Sequence, residues 1–242
     1  MSNYNILSKN MYTNQNIREW TKNLNIKNSD NNRKTVINKP FINISNNEKI
    51  CTETFNPNQS DKLFWCLYVI INSLDDYNKN LKHIFSVEKK FKYDSIDLLR
   101  KQKVLLKNNK IKINEIENNL VSENKISLQV FYSFCIIYQK SVIIKNEEIY
   151  YDINFGNKYF LIDIKNKNIK LHLGNISNII DNIKKNNYCL EINKSIKNIS
   201  FYKILDLQNI AKKLNIQIIT DNKKLKKQDL YELILFKIKK LT

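Results

Sequence analysis

Cys66 is the residue whose type best suits a nucleophile, provided that a histidine lies beside it in the fold. A cysteine can attack a carbonyl carbon once a neighbouring imidazole takes its proton. The chain has two histidines, and His172 alternates with Leu171 and Leu173 on a predicted strand. Cys66 lies inside its predicted helix rather than at the start, where the helix dipole would lower the thiol pKa. Two interpretations stay open: a Cys66–His172 dyad, or a structural thiol in the core.

Other catalytic and cofactor-binding patterns are not visible in the sequence. A structural zinc site needs four grouped Cys or His ligands, and the four cysteines are scattered without a CxxC pair (Cys51, Cys66, Cys135 and Cys189). The two glycines, Gly156 and Gly174, cannot form a Gly-rich phosphate loop. We interpret Asp75, Asp76 and Asp152 as solvated turn residues. The sequence therefore predicts no metal and no cofactor.

Aromatic residues could stack on the bases of single-stranded nucleic acid, and the chain has 13 Tyr and 11 Phe. Tyr150 and Tyr151, on a predicted strand, are the candidates for this role. Neighbouring strand residues point to opposite faces, so one ring at most can face solvent. Packing in the core is the alternative interpretation.

The C-terminal segment 201–242 carries a strong positive charge. Its ten lysines exceed its four acids by six. Lysines that precede a helix, together with free N–H groups at the helix N-terminus, can receive phosphate oxygens. The predicted nucleic-acid-binding residues are Lys212, Lys213, Lys223, Lys224, Lys226 and Lys227. Such contacts would hold the backbone of DNA or RNA and read little of its sequence.

The apolar spacing in this segment predicts a helix over 204–214, an extended basic loop, and a helix over 228–239. The residues expected to point inward are Leu207, Ile210, Ala211, Leu214, Leu230, Leu233, Ile234 and Ile238. Lys227 precedes Leu230 by three residues. In this pattern the segment resembles the SAP and Rho-N class of helix–extended loop–helix modules. It departs from that class by lacking the loop glycine and by its longer, more basic loop. The resemblance implies nucleic-acid binding, although related folds also serve protein contacts.

The run Asp61-Lys62-Leu63-Phe64-Trp65 is similar to the start of OTU-like cysteine peptidases. In that alignment Lys62 occupies the nucleophile's position. Lys158 occupies the position of the general-base histidine, just before Tyr159. The resemblance therefore implies an inactive peptidase fold that has lost its catalytic residues and serves as a binding domain.

The whole chain resembles proteins encoded by large, AT-rich DNA viruses such as the mimivirus relatives. The resemblance depends on the Asn-, Lys- and Ile-rich composition, the DKLFWC helix and the SAP-like tail. It implies the host cytoplasm or the virion as the setting, with other viral proteins as further partners.

The net charge of +18 favours polyanionic partners, with nucleic acid ahead of an anionic membrane surface. Codon bias of an AT-rich genome is the alternative source of the lysines. The first ten residues contain no apolar signal core. No apolar run approaches the roughly 20 residues that would span a bilayer. These observations predict an intracellular protein in a reducing compartment.

The predicted fold is α+β, with helices over 60–140 packed on a small antiparallel sheet over 141–173. The predicted parts are an N-terminal arm (1–58), a core domain (59–193) and the C-terminal module (200–242). Ser60 or Asp61 is expected to cap a buried helix that ends at Asp75-Asp76. Asp94 or Ser95 is expected to cap a second, basic helix. The segments 141–145, 147–153, 158–164 and 168–173 are expected to form a meander of three or four strands, with Gly156 in a turn where a glycine adopts positive φ at little cost.

We favour a non-enzymatic nucleic-acid-binding protein. A cysteine-dependent hydrolase of OTU or papain type, centred on Cys66, is one alternative. A structural or assembly protein without a nucleic-acid ligand is the other.

Overall fold

The computed structural model describes residues 53–193, 196–220 and 223–242. The predicted N-terminal arm lies outside the described residues as far as residue 52. Among the helices that are described, none has both the length and the apolar character needed to cross a membrane.

Helices and a mixed sheet make up the described chain, which confirms the predicted α+β class. The helices are α1 (Lys62–Ile71), α2 (Leu74–Lys79), α3 (Ile84–Lys101), α4 (Lys103–Asn108), α5 (Ile113–Ser122), α6 (Leu128–Ile137), α7 (Ser177–Asn186), α8 (Ile204–Lys213) and α9 (Lys227–Leu241). The strands are β1 (Thr54–Phe55), β2 (Ser141–Asn146), β3 (Ile149–Ile153), β4 (Tyr159–Lys165), β5 (Asn168–His172), β6 (Tyr188–Leu190), β7 (Ile219–Thr220) and β8 (Lys223–Lys224). Short 3-10 turns span Leu81–His83 and Ile199–Phe201.

Helix α1 lies at the centre of the core, as its unbroken apolar sequence predicts. Asp61 is the N-cap, and its carboxylate accepts the N–H of Phe64. Trp65, Cys66 and Leu67 are fully buried. The helix ends at Ile71, so the prediction that it ends at Asp75-Asp76 is wrong. That acidic pair instead begins α2, where negative charge suits the helix dipole.

Helix α3 is continuous through Asp94 and Ser95, so the predicted N-cap at either residue is wrong. The hydroxyl of Ser95 donates to the carbonyl oxygen of Phe91, which is the back-bonded state of a serine inside a helix. An ion pair between Glu88 and Lys92, one turn apart, supports the same helix. Residues 84–93 therefore belong to the same helix as Asp94 and Ser95.

The main sheet has the strand order β1-β5-β4-β2-β3-β6. Hairpins join β2 to β3 and β4 to β5, but β2 pairs with β4 in parallel. β6 also runs parallel to β3. The predicted antiparallel meander is therefore wrong in its connectivity, and the sheet is mixed. The chain leaves β3 at Ile153 and crosses the start of β2 to form β4 on its other side.

Ser141 and Gly156 hold this crossing in place. The buried hydroxyl of Ser141 accepts the N–H groups of Phe155 and Gly156, at 3.0 and 2.8 Å. Gly156 does not adopt positive φ, so that expectation is wrong. A glycine is required there for another reason, since a Cβ atom would clash with the carbonyl oxygen of Gln139.

The sheet has two distinct faces. One face packs on α1 and α6 in the main apolar cluster, through residues such as Ile144, Ile162 and Leu171. The opposite face contributes Ile143, Tyr150 and Leu161. Ile180 and Ile183 of α7 cover them, together with the N-cap residue Ile176. Buried side chains of α8 and α9 belong to the main cluster. The alternation of facing residues along each strand therefore decides which side chains can meet.

Candidate nucleic-acid interface

The C-terminal module consists of α8, the β7–β8 hairpin and α9, which confirms both predicted helices. Leu207, Ile210, Ala211 and Leu214 are buried, as are Leu230, Ile234 and Ile238. Leu233 is 42% exposed, so its predicted inward position is wrong. The helix instead buries Leu241, which lies on the stripe of Ile234 and Ile238. The loop between the helices is a narrow hairpin that pairs Ile219 with Lys224.

Three contacts fix the module against its surroundings. Asn146 donates its side-chain amide to the carbonyl oxygen of Leu241, at 2.6 Å. Lys237 forms an ion pair of 3.2 Å with Glu148, which lies in the turn between β2 and β3. The Tyr231 hydroxyl donates to the carbonyl oxygen of Lys197. The module therefore presents its remaining lysines in a defined orientation.

Four of the predicted lysines have described side chains. Lys212 and Lys226 are exposed, while Lys213 and Lys227 are partly exposed. Within the described ranges, none of the four forms an ion pair. Strand β8 contains the backbone of Lys223 and Lys224, but their side chains lie outside the described residues.

The N-termini of the two helices differ. At α8, the carboxylate of Asp206 accepts the N–H of Lys203, at 2.8 Å. At α9, the N-cap position is Lys226, and no side chain accepts a hydrogen bond from the first turn. The first-turn N–H groups are free of a side-chain cap in both helices, and at α9 they lie next to Lys226 and Lys227, with Asp229 in the same turn. Free amides at a helix start, with cationic side chains nearby, suit phosphate oxygens.

Lys213 also lines a cleft of about 500 Å³ that sequence analysis missed. The strands and turns of the sheet contribute Lys145 and Lys165 to the same cleft, but also the carboxylates of Glu147, Glu148 and Asp163, so the cleft is not strongly cationic. Lys165 is exposed, whereas Lys145 lies 3.7 Å from a carboxylate oxygen of Asp163. No local pattern in the sequence places Lys165 beside Lys213, because only the fold brings the two residues to one cleft.

Cys66 and His172 do not form a dyad, because they lie on opposite faces of the sheet. Cys66 belongs to the main cluster together with Leu171, the strand neighbour of His172. His172 lines a small cavity on the other face, with Leu161 and Ile183. Burial raises the pKa of Cys66 to about 12, and Asp61 adds to this effect. Burial also lowers the pKa of His172. Cys66 is a core thiol that stays protonated near neutral pH.

The positions aligned with OTU-like catalytic residues have other contacts. Lys62, at the start of α1, donates to the side-chain oxygen of Asn168, at 3.1 Å. Lys158 lies over the ring of Phe160, at 5.5 Å from its centroid. Neither contact provides a nucleophile or a general base.

The other residues that the sequence suggested for binding or catalysis are buried or paired in the fold. Tyr150 and Tyr151 are both buried, at 7% and 8% exposure on opposite faces, so neither ring is free to stack on a base. Asp152 is paired with Lys184 at 2.8 Å. In the described part of the chain, no three His, Cys, Asp or Glu side chains are grouped closely enough to hold a metal ion.

No protein-family model, no curated protein and no solved structure matches this chain.

Proposed function

We propose that this chain is a non-enzymatic protein that binds the phosphate backbone of nucleic acid through its C-terminal module. One observation carries the proposal. Lys212, Lys213, Lys226 and Lys227 have no carboxylate partner among the described residues, and two of them flank a helix start without a side-chain cap. The net charge of +18 favours the same partner.

The contacts of this surface would be electrostatic. A lysine ammonium is a point charge on a flexible stem and does not impose the fork geometry that reads a base edge. Lysines that contact phosphates bind most sequences about equally and lose affinity as salt rises. We therefore expect little sequence preference, on DNA or on RNA.

Charge reversal tests the proposal. In the module variant, Lys212, Lys213, Lys226 and Lys227 are all replaced by Glu. Glutamates at the start of α9 suit the helix dipole, whereas those in the last turn of α8 oppose it, so circular dichroism must first show that the variant is folded. We expect its affinity for a duplex of about 20 base pairs, measured by fluorescence anisotropy, to fall about tenfold or more.

A matched control variant distinguishes loss of a local binding site from the effect of a lower net charge. The control variant reverses four exposed lysines elsewhere, at Lys82, Lys101, Lys103 and Lys107, and so has the same net charge. We expect it to keep most of the affinity. Equal losses in the two variants would show that the lysines act only through net charge, and would reject the C-terminal site.

The proposed setting is the host cytoplasm or the virion of a large DNA virus. Support for it comes from the Asn-, Lys- and Ile-rich composition and the DKLFWC helix. Peptides of this chain in purified virions, identified by mass spectrometry, would place it there.

A further inference from the structure

A groove of about 810 Å³ runs between α3 and the C-terminal end of α5. Phe85 and Tyr93 of α3 line it, as does Val121 of α5. The two aromatic residues are 70% and 76% exposed. Their exposure contrasts with the burial of Tyr150 and Tyr151, the aromatic residues that the sequence suggested for stacking. Large apolar side chains gathered at one exposed groove often mark a binding surface.

The two rings are arranged along one side of α3. Residues 85, 89 and 93 are four residues apart, at positions i, i+4 and i+8, so their side chains are neighbours along the helix. Phe85 and Tyr93 are about 12 Å apart along the axis, which leaves room for a separate base on each ring. Lys89 lies between them, with its ammonium nitrogen 4.5 Å from the centroid of the Phe85 ring.

Largely buried ion pairs fix the side of the groove that α3 forms. Lys92 lies 2.9 Å from Asp61 and 2.8 Å from Glu88, so its charge is already compensated. The indole N–H of Trp65 donates to the same Glu88. These contacts hold α3, the helix that contains Phe85 and Tyr93, in place. Lys92 is already paired, so the groove does not depend on it for binding.

The charges at the rim are nearly balanced. Lys89, Lys90 and Lys125 line the groove, together with Asp94 and Glu123. The three lysines can contact a few phosphates, but they do not make the strongly cationic channel that a rigid duplex would need. The exposed rings, rather than the charge, distinguish this surface.

We propose that this groove binds single-stranded nucleic acid, with one base stacked on Phe85, another on Tyr93, and phosphates near Lys89 and Lys125. Base faces are accessible in a single strand and hidden in a duplex, so stacking selects single strands. The inference rests on the proposed function, and it adds a second surface with a stated class of ligand.

The test uses the full chain and two probes, a fluorescein-labelled oligothymidylate of about 20 nucleotides and a duplex of equal length. In the variant Phe85→Ala/Tyr93→Ala, we expect affinity for the single strand to fall about tenfold or more and affinity for the duplex to stay unchanged. Val104→Ala is the matched control, because Val104 is 74% exposed and does not line the groove.

A second variant reports on stacking directly. Phe85→Trp places an indole at the groove, and oligothymidylate should quench its fluorescence beyond any change seen in the wild-type protein, which contains Trp20 and the buried Trp65. Wild-type affinity for the single strand in Phe85→Ala/Tyr93→Ala would overturn the proposal. Absent quenching, or equal loss of single-strand and duplex binding, would also overturn it. A loss confined to the lysine variant would leave the C-terminal function standing without the groove.

Discussion

The ammonium nitrogen of Lys92 lies 2.9 Å from carboxylate oxygen Oδ2 of Asp61, which precedes it by 31 residues. Asp61 is 1% exposed and Lys92 is 8% exposed. The same carboxylate accepts the N–H of Phe64 at the start of α1 and the N–H of Ile126 before α6. One buried side chain therefore joins α1, α3 and the segment that leads into α6.

Removing the charge of Asp61 should destabilise the fold. Asp61→Asn leaves the ammonium of Lys92 largely buried with Glu88 as its remaining partner. Because Glu88 still compensates Lys92, the main loss is the second acceptor oxygen of Asp61, and we expect the free energy of unfolding to fall by about 1–3 kcal/mol. Urea denaturation followed by circular dichroism measures it.

An exposed ion pair provides the control for Asp61. Glu115→Gln removes the partner of Lys112 on the surface, and we expect the urea midpoint to stay nearly unchanged. If Asp61→Asn were as stable as Glu115→Gln, the Asp61 network would not support the core.

The crossing between β3 and β4 should depend on the hydroxyl of Ser141. Ser141→Ala leaves the N–H groups of Phe155 and Gly156 without their acceptor. Unsatisfied buried donors cost about 1–3 kcal/mol, so the free energy of unfolding should fall by that amount. Ser122→Ala, at an exposed position, is the control and should have no effect. Equal stability of the two variants would contradict the proposed role.

The thiols should differ in reactivity. Burial raises the pKa of Cys66 to about 12 and also raises that of Cys135, so both stay protonated at pH 8. Cys189 is exposed. We expect iodoacetamide at pH 8 to modify Cys189 faster than Cys66 or Cys135, as measured by peptide mass mapping. Modification of Cys66 in the folded protein would contradict its assignment as a core thiol.

The salt dependence of the binding constant should show how many phosphates the C-terminal module contacts. The logarithm of the binding constant for duplex DNA falls with the logarithm of salt concentration by about 0.9 for each contacted phosphate. Lys226→Ala/Lys227→Ala should therefore reduce the slope by about 1.8 if each lysine holds one phosphate. Lys101→Ala/Lys103→Ala, at exposed positions on other helices, should keep the wild-type slope. An unchanged slope in the first variant would exclude contacts at the start of α9.

Local patterns were enough to predict much of the secondary structure. The apolar run after Asp61 predicted α1, with an N-cap at Ser60 or Asp61, and the spacing from Leu207 to Ile238 predicted α8 and α9. These features depend on residues within one or two helical turns, so the sequence alone contains them. The lysines of the C-terminal module are visible for the same reason.

Contacts between distant residues decided the rest. Strand alternation placed Leu171 and His172 on opposite faces, but only the assembled sheet showed that Cys66 lies with Leu171. The parallel pairing of β2 with β4 depends on a crossing held by Ser141, which no periodicity encodes.

The sequence by itself determined a basic α+β chain with a capped central helix and a lysine-rich pair of C-terminal helices. The tertiary structure alone decided which of its aromatic rings are exposed, with Phe85 and Tyr93 in a groove while Tyr150 and Tyr151 are buried. The physical reason is that residue type and spacing control the local backbone, whereas burial depends on which distant surfaces cover a side chain.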